Sequence, residues 1–218
     1  MKVARRQPRH DARRARNDVY RQHIFEAAEQ VFAERGFEAA TLQEIGKRVG
    51  LSMGTIYGIF PSKAELLQAI LDARGQALLD LVRDVAGRRS DPGAALKALL
   101  EGYIDFFVGR PAFLRMHLRQ GSSWILSPGN GSGGSRAEVW AEIHRLQADV
   151  FRRGIKDGCF VDEDPGLLSK LFSAFDQVVL SEWVAGGMKA PRDQLVQRFE
   201  AIVERTFCRK VSAKRARA

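Results

Sequence analysis

The residues of this 218-residue sequence that could ligate, attack or shuttle protons are four histidines, two cysteines and scattered serines. His10, His23, His117 and His144 show no His-x-x-x-His or His-Glu-x-x-His spacing, which would set two imidazoles on one helix face toward a metal. His117 and His144 could meet across helices, but a satisfied or exposed histidine is the ordinary reading. Ser52 has Gly-x-Ser-x-Gly spacing with Gly50 and Gly54, but no strand pattern precedes it to make the strained elbow of a nucleophile. Gly129, Gly131 and Gly133 alternate as in a phosphate loop, yet no strand pattern precedes them and no Gly-Lys-Ser/Thr follows. Cys159 follows Gly158 near a helix end and could be a redox thiol; a lone cysteine ordinarily packs as a small hydrophobe. With Cys208 it makes two, too few for a disulfide framework or a zinc cage. The expectation is no catalytic residue, no metal and no cofactor. The chemistry left is non-covalent, and it concentrates in residues 41–60, TLQEIGKRVGLSMGTIYGIF.

That stretch reads as two short helices joined at Gly50, where glycine takes positive φ without steric cost. Thr41 and Glu44 form a capping box for the first helix, and Ser52 caps the second. Leu42, Ile45, Val49, Leu51, Ile56 and Ile59 are spaced to close a small core, with Gly46 where a larger side chain would hold the helices apart. This is the helix-turn-helix pattern, whose second helix is short enough to enter a DNA major groove. If Ile56 and Ile59 face inward, Met53, Thr55, Tyr57 and Gly58 face outward. An αα-corner buried in a bundle has the same pattern, so the spacing alone leaves both readings open.

The elements that must position this pair are also helical. Apolar residues recur with a 3.6-residue period from Asp18 to Arg35, and Gly36 supplies a stop. Ser62 and Glu65 form a second box opening a helix to about Arg88. Asp91-Pro92, Arg110-Pro111 and Asp164-Pro165 place proline where a helix starts, predicting helices over 92–109, 111–120 and 165–186. Others are predicted over 136–157 and 192–211. Residues 121–135 read as a flexible connection. No segment alternates with period two, so the expected class is all-α.

Charge adds a partner class. Net charge is +9, but residues 1–16 carry seven Lys/Arg against Asp11, and residues 205–218 carry six with no acid. The body between them is slightly acidic. Basic arms on such a body predict contact with a polyanion, above all nucleic acid, although tails of this kind also simply aid solubility. No apolar run approaches a bilayer span and the first twenty residues hold no apolar core of a signal peptide, so the expectation is a cytoplasmic protein with no membrane partner.

Residues 24–70 resemble the DNA-binding domain of the TetR (tetracycline-repressor-like) regulators. The resemblance is carried by Ala27-Ala28, Phe32, Glu34-Arg35-Gly36-Phe37, Thr41, Glu44-Ile45, Gly50-Leu51-Ser52, Gly54-Thr55-Ile56-Tyr57, Phe60-Pro61-Ser62-Lys63 and Glu65-Leu66. It implies an N-terminal three-helix DNA-binding domain followed by a helical ligand-binding and dimerisation domain. The boundaries expected are a flexible basic arm at 1–16, the DNA-binding domain at 17–70, the second domain at 71–211 and a basic tail at 212–218. It further implies DNA contacts by Thr41 at a helix N-terminus, Ser52, Met53, Gly54, Thr55, Tyr57 and Lys63, with Lys47 and Arg48 as basic positions nearby. The family commonly has a polar residue where Ile59 stands and a larger one at Gly58. Residues 17–70 carry five basic against seven acidic side chains, so the arm must supply attraction unless the few basic groups share one face.

Beyond residue 70 the resemblance is architectural. Two wide apolar stripes, on 165–186 and 192–211, predict a four-helix homodimer interface that includes Leu171, Phe175, Val178, Val179, Phe199 and Ile202. Phe106, Phe107, Phe113, Met116, Trp124 and Trp140 are expected to line a small-molecule cavity. The expected function is transcriptional repression, with a small molecule releasing the homodimer from a palindromic double-stranded operator. Two alternatives stand beside it: a basic protein binding DNA without sequence preference, and a cytosolic small-molecule-binding protein whose reading heads have decayed.

Overall fold

The computed structural model describes residues 7–120 and 135–209, and side chains at 17–120 and 137–209. Among the described residues every regular element is an α-helix: α1 (Gln7–Ala39), α2 (Leu42–Val49), α3 (Met53–Ile59), α4 (Lys63–Arg88), α5 (Pro92–Val108), α6 (Pro111–Arg119), α7 (Ser135–Lys156), α8 (Pro165–Ala185) and α9 (Arg192–Phe207).

Local signals account for most of these boundaries. Asp91 accepts hydrogen bonds from the amides of Gly93 and Ala94, and Asp164 from that of Leu167, so each proline behind them opens a capped helix. Gly36 breaks the helical path of α1 at φ 79°, ψ 165°, where the stop was expected. At its other end α1 begins at Gln7, eleven residues before the predicted Asp18, so residues 7–16 of the expected flexible arm are helical. The alanines, arginines and glutamine there are good helix formers, which an apolar period does not register. The last helix stops at Phe207, short of the predicted 211. Cys208 instead forms an antiparallel bridge with Phe160, in which Val161 N–H donates to Phe207 O at 2.8 Å and Arg209 N–H to Cys159 O at 2.9 Å.

The chain divides into two compact units. Among the described residues the first comprises 7–73 and 111–120, the second 74–110 and 135–209. Helix α6 therefore belongs with α1–α3, whereas the sequence pattern had placed it in the 71–211 domain. Helix α4 contributes its first eleven residues to the first unit and the rest to the second. In the first unit Ile24, Phe25, Ala28, Val31 and Phe32 of α1 are buried together with Ile45, Ile56, Phe60, Leu66 and Ile70. The second unit is centred on Phe172, whose ring lies 5.4 Å from that of Phe199, 6.0 Å from Tyr103 and 6.3 Å from Phe151.

Candidate nucleic-acid interface and regulatory cavity

The α2–α3 pair is built as its residues dictate. Thr41 Oγ1 accepts from the Glu44 amide at 3.2 Å while the Glu44 carboxylate accepts from the Thr41 amide, closing the capping box. Gly50 ends α2 at φ 73°, a left-handed position that any side chain would strain. A Cβ on Gly46 would stand 3.2 Å from Met53 Sδ and 3.4 Å from Ile56 Cγ1, so glycine is what lets the two helices approach. Ser52 Oγ accepts from the Thr55 amide at 3.3 Å and shares a hydrogen bond with its hydroxyl at 3.0 Å. Ile56 is fully buried beneath them.

The outward surface is selective about which residues it offers. Thr41, Lys47, Ser52, Gly54 and Tyr57 are exposed, the Tyr57 ring by 49%. Thr55 is half-buried with its hydroxyl held by Ser52. Met53 departs from the outward position expected of it, because its sulfur packs against Gly46 at the helix crossing.

Two basic residues placed among the DNA contacts are engaged inside the unit. Arg48 makes a bidentate pair with Glu34 of α1, at 2.9 and 2.8 Å, which holds the Glu34 carboxyl below its ordinary pKa. Lys63 donates to the carbonyls of Phe37, Glu38 and Ala40 at 2.5, 2.9 and 3.0 Å, and its ammonium sits 4.5 Å from the Phe37 ring centroid. These carbonyls are orphaned where α1 breaks at Gly36, and the lysine gathers all three. Arg21 lies over the Phe60 ring at 4.7 Å and Arg35 pairs with Glu44 at 3.1 Å. Of the five basic residues in 17–70, only Lys47 has no such partner among the described residues. Lys63→Ala should therefore lower thermal stability by about 1 kcal/mol by leaving three partly exposed carbonyls without this donor, before any effect on DNA. An unchanged denaturant midpoint would show that water replaces the ammonium.

Residues 24–70 match the family described as bacterial regulatory proteins, tetR family. These residues are a TetR-family DNA-binding domain. The chain is 36% identical over 89 residues to the HTH-type transcriptional activator FasR of Mycolicibacterium smegmatis, covering 41% of each chain. It is 24% identical over 183 residues to the HTH-type transcriptional repressor KstR2 of Rhodococcus jostii, covering 84% of this chain and 88% of that one. In FasR and two regulators of Pseudomonas putida, SrpR and TtgW, the match spans a third to about half of their length. The solved ketosteroid regulator KstR2 of Mycobacterium tuberculosis shares the fold at TM-score 0.72 and 22% identity, over 88% of this chain and 96% of that one. The TetR domain is thus followed by a helical unit of the kind these regulators carry. Among the described residues no helix is long and apolar enough to cross a membrane.

The six residues expected to line a ligand cavity are scattered. Phe113 and Met116 lie on α6 and are buried in the first unit; Met116 borders a surface cleft there with Phe32, Phe37 and Leu67. Phe106 is buried in the second unit beneath the Arg110 guanidinium at 4.4 Å, with its ring edge-on to Phe107. Trp124 lies outside the described residues. Phe107 and Trp140 share a cavity, a space of about 10 Å³ also lined by Leu78, Tyr103, Ser173 and Asp176.

The polar members of that cavity were missed. Ser173 and Asp176 line it from α8, and with Ser169, which lies outside the cavity, they fall at i, i+4 and i+7, all 5% exposed or less, on a helix otherwise read as an apolar stripe. Polar residues in that register on a buried face are the signal that marks them. Gln147 Nε2 donates to the Tyr103 hydroxyl at 2.7 Å and Ser173 Oγ to Gln147 Oε1 at 3.3 Å. Asp176 Oδ1 has no hydrogen-bond partner, and burial pushes its carboxyl well above the usual range. Around the cavity Asp176 faces Leu78 from α4, Tyr103 and Phe107 from α5 and Trp140 from α7, so Tyr103 is the titratable neighbour there.

A carboxyl whose pKa is raised by folding binds more protons folded than unfolded. Its contribution to stability is complete below the unfolded value near 3.9 and is lost as pH rises toward the folded value. The protein should lose stability steadily as pH rises through that window, and Asp176→Asn should remove this dependence. Parallel stability–pH curves for the two proteins would contradict it.

The apolar stripe of α8 divides in two. Phe172, Val179 and Leu180 are buried within the chain, and Phe199 of α9 is fully buried beside them. Val179 and Phe199 are thus core residues, not the interface positions expected of them. Val178 and Leu167 are 59% and 45% exposed, with Leu171 and Phe175 half-buried along the same face, as is Ile202 on α9.

Proposed function

We propose that this protein is a homodimeric transcriptional repressor that reads a pseudo-palindromic operator through α3 and leaves it when a small molecule occupies the second unit. The α2–α3 geometry carries the reading: a left-handed turn at Gly50, a close crossing at Gly46 and an outward face bearing Thr41, Ser52, Gly54 and Tyr57. Such a face docks backbone amides and short side chains against phosphates while Tyr57 and Thr55 approach base edges. KstR2, named a repressor and similar over most of the chain, is the relative that supports repression. Two copies joined through the exposed α8 face and Ile202 would present two reading heads for successive major grooves. Helix α4 supplies residues to both units, so it is the covalent route by which ligand binding reaches α3. Residues 1–16, with their seven basic side chains, supply the phosphate attraction that a domain of five basic and seven acidic residues lacks. The protein acts in the cytoplasm, where its DNA is.

Binding selection from a random duplex pool, with the full chain, tests the reading. Enrichment of a palindrome whose half-sites are about one helical turn apart is the expected result. Tyr57→Phe and Thr55→Ala should then alter preference at one position per half-site. Equal affinity for all duplexes with a steep salt slope would overturn it in favour of non-specific binding by the basic segments.

A further inference from the structure

Three aromatic rings and one carboxyl wall the cavity of the second unit. Tyr103 and Phe107 come from α5, Trp140 from α7 and Asp176 from α8, with Leu78 and Ser173 completing it. Its polar groups satisfy one another with a single exception. Gln147 bridges the Tyr103 and Ser173 hydroxyls, whereas Asp176, 3% exposed, leaves Oδ1 without a donor. A buried carboxylate without a hydrogen bond or counter-charge is a strongly disfavoured species, and the wall contains no arginine or lysine to supply one. An anionic ligand would therefore meet a carboxyl and no cation. A neutral apolar ligand would leave Oδ1 as orphaned as before.

We propose that this cavity is the ligand site and that its ligand is an organic cation, an ammonium group set against Asp176 and the faces of Tyr103, Phe107 and Trp140. The ring faces carry negative quadrupolar potential, so they and the carboxylate attract the same group. The cation gives Asp176 the counter-charge it lacks, and their attraction in the low-dielectric interior works against the cost of desolvating both charges. At about 10 Å³ the space holds one water, so the ligand enters as side chains give way. Trp140, half-buried where the other rings are buried, is the wall that moves. The proposal rests on the reading of the second unit as regulatory, and it names the chemistry of the effector.

The test uses the full chain with tetramethylammonium and benzyltrimethylammonium as probes, and benzyl alcohol and phenylacetate as neutral and anionic counterparts. Calorimetric titration and the shift in Tm report binding. At least one cation should bind about tenfold or more tightly than either counterpart, and Asp176→Asn should lose that advantage while its unliganded melting curve shows it folded. Trp140→Leu should weaken the cation and leave benzyl alcohol unaffected. Failure of both cations to bind overturns the proposal, as does equal binding by phenylacetate or undiminished cation binding by Asp176→Asn. Operator selection is run without any probe. A selected palindrome with no cation binding overturns the ligand class and leaves the repressor reading intact. Cation binding without a selected palindrome supports the site and overturns the repressor.

Discussion

Val178→Asp is expected to yield a folded monomer whose operator affinity has fallen about a hundredfold or more. Val178 is 59% exposed on α8, so a carboxylate there stays in water and costs the single chain little. In a dimer built on that face the same carboxylate would be buried opposite its own symmetry copy, because a two-fold interface repeats every patch. The charge is then desolvated without a partner, and the dimer is lost. Losing the dimer disconnects two reading heads, and the second binding event no longer gains from the first, a factor of about 10²–10⁴. Sedimentation at micromolar concentration, with operator titration on the same samples, checks both parts. A Val178→Asp protein that sediments as the wild type with unchanged affinity would place the interface elsewhere. Val179→Asp is the instructive contrast. One residue further along, at 3% exposure, it should unfold the second unit rather than dissociate it.

Phe172→Ala should be the most damaging single truncation in the second unit. Its ring is fully buried and meets those of Tyr103, Phe151, Phe199 and Phe207 at centroid separations of 6.0, 6.3, 5.4 and 6.4 Å. Removing it takes away the transfer energy of an aromatic side chain and leaves a cavity bounded by other rings that cannot all collapse inward. The expected loss is about 3–5 kcal/mol, a large share of an ordinary domain's stability. That corresponds to a fall in Tm of about 10 °C. Thermal unfolding followed by near-ultraviolet circular dichroism, where these rings absorb, would report it. A change under about 1 kcal/mol would mean that the surrounding rings repack, and that the cluster is less rigid than its geometry implies.

The reading head was legible in the sequence because what builds it is local. A capping box needs Thr41 and Glu44 three residues apart, a left-handed turn needs glycine at 50, and a close crossing needs glycine at 46; none of these depends on distant chain. The same holds for Pro92, Pro111 and Pro165, each of which opens its helix where its missing N–H is harmless. Side-chain availability is a different matter. Arg48 and Lys63 stand at positions where the resemblance expects DNA contacts, yet their partners lie 14 and 23–26 residues away, on α1 and the turn after it. Which acceptor a long cationic side chain meets is decided by what folding brings within reach, and no local spacing encodes it.

The sequence by itself determined that the chain is helical, where most helices begin and end, and that residues 24–70 form a TetR-type reading head. Periodicity, caps and glycines act over a few residues, so a linear string contains them. Only the tertiary structure decided how each apolar stripe is shared between core and surface. Along α8 the periodicity marks Phe172, Phe175, Val178 and Val179 alike, and the packing of α7 and α9 buries Phe172 and Val179 while leaving Val178 in water. The same packing decided that Asp176, unremarkable in the string, is closed in beside three aromatic rings with an oxygen unpaired. A stripe wider than one neighbour can cover is written in the amino acids. Which part of it is covered depends on contacts between residues far apart in the chain, and those exist only once the helices have packed.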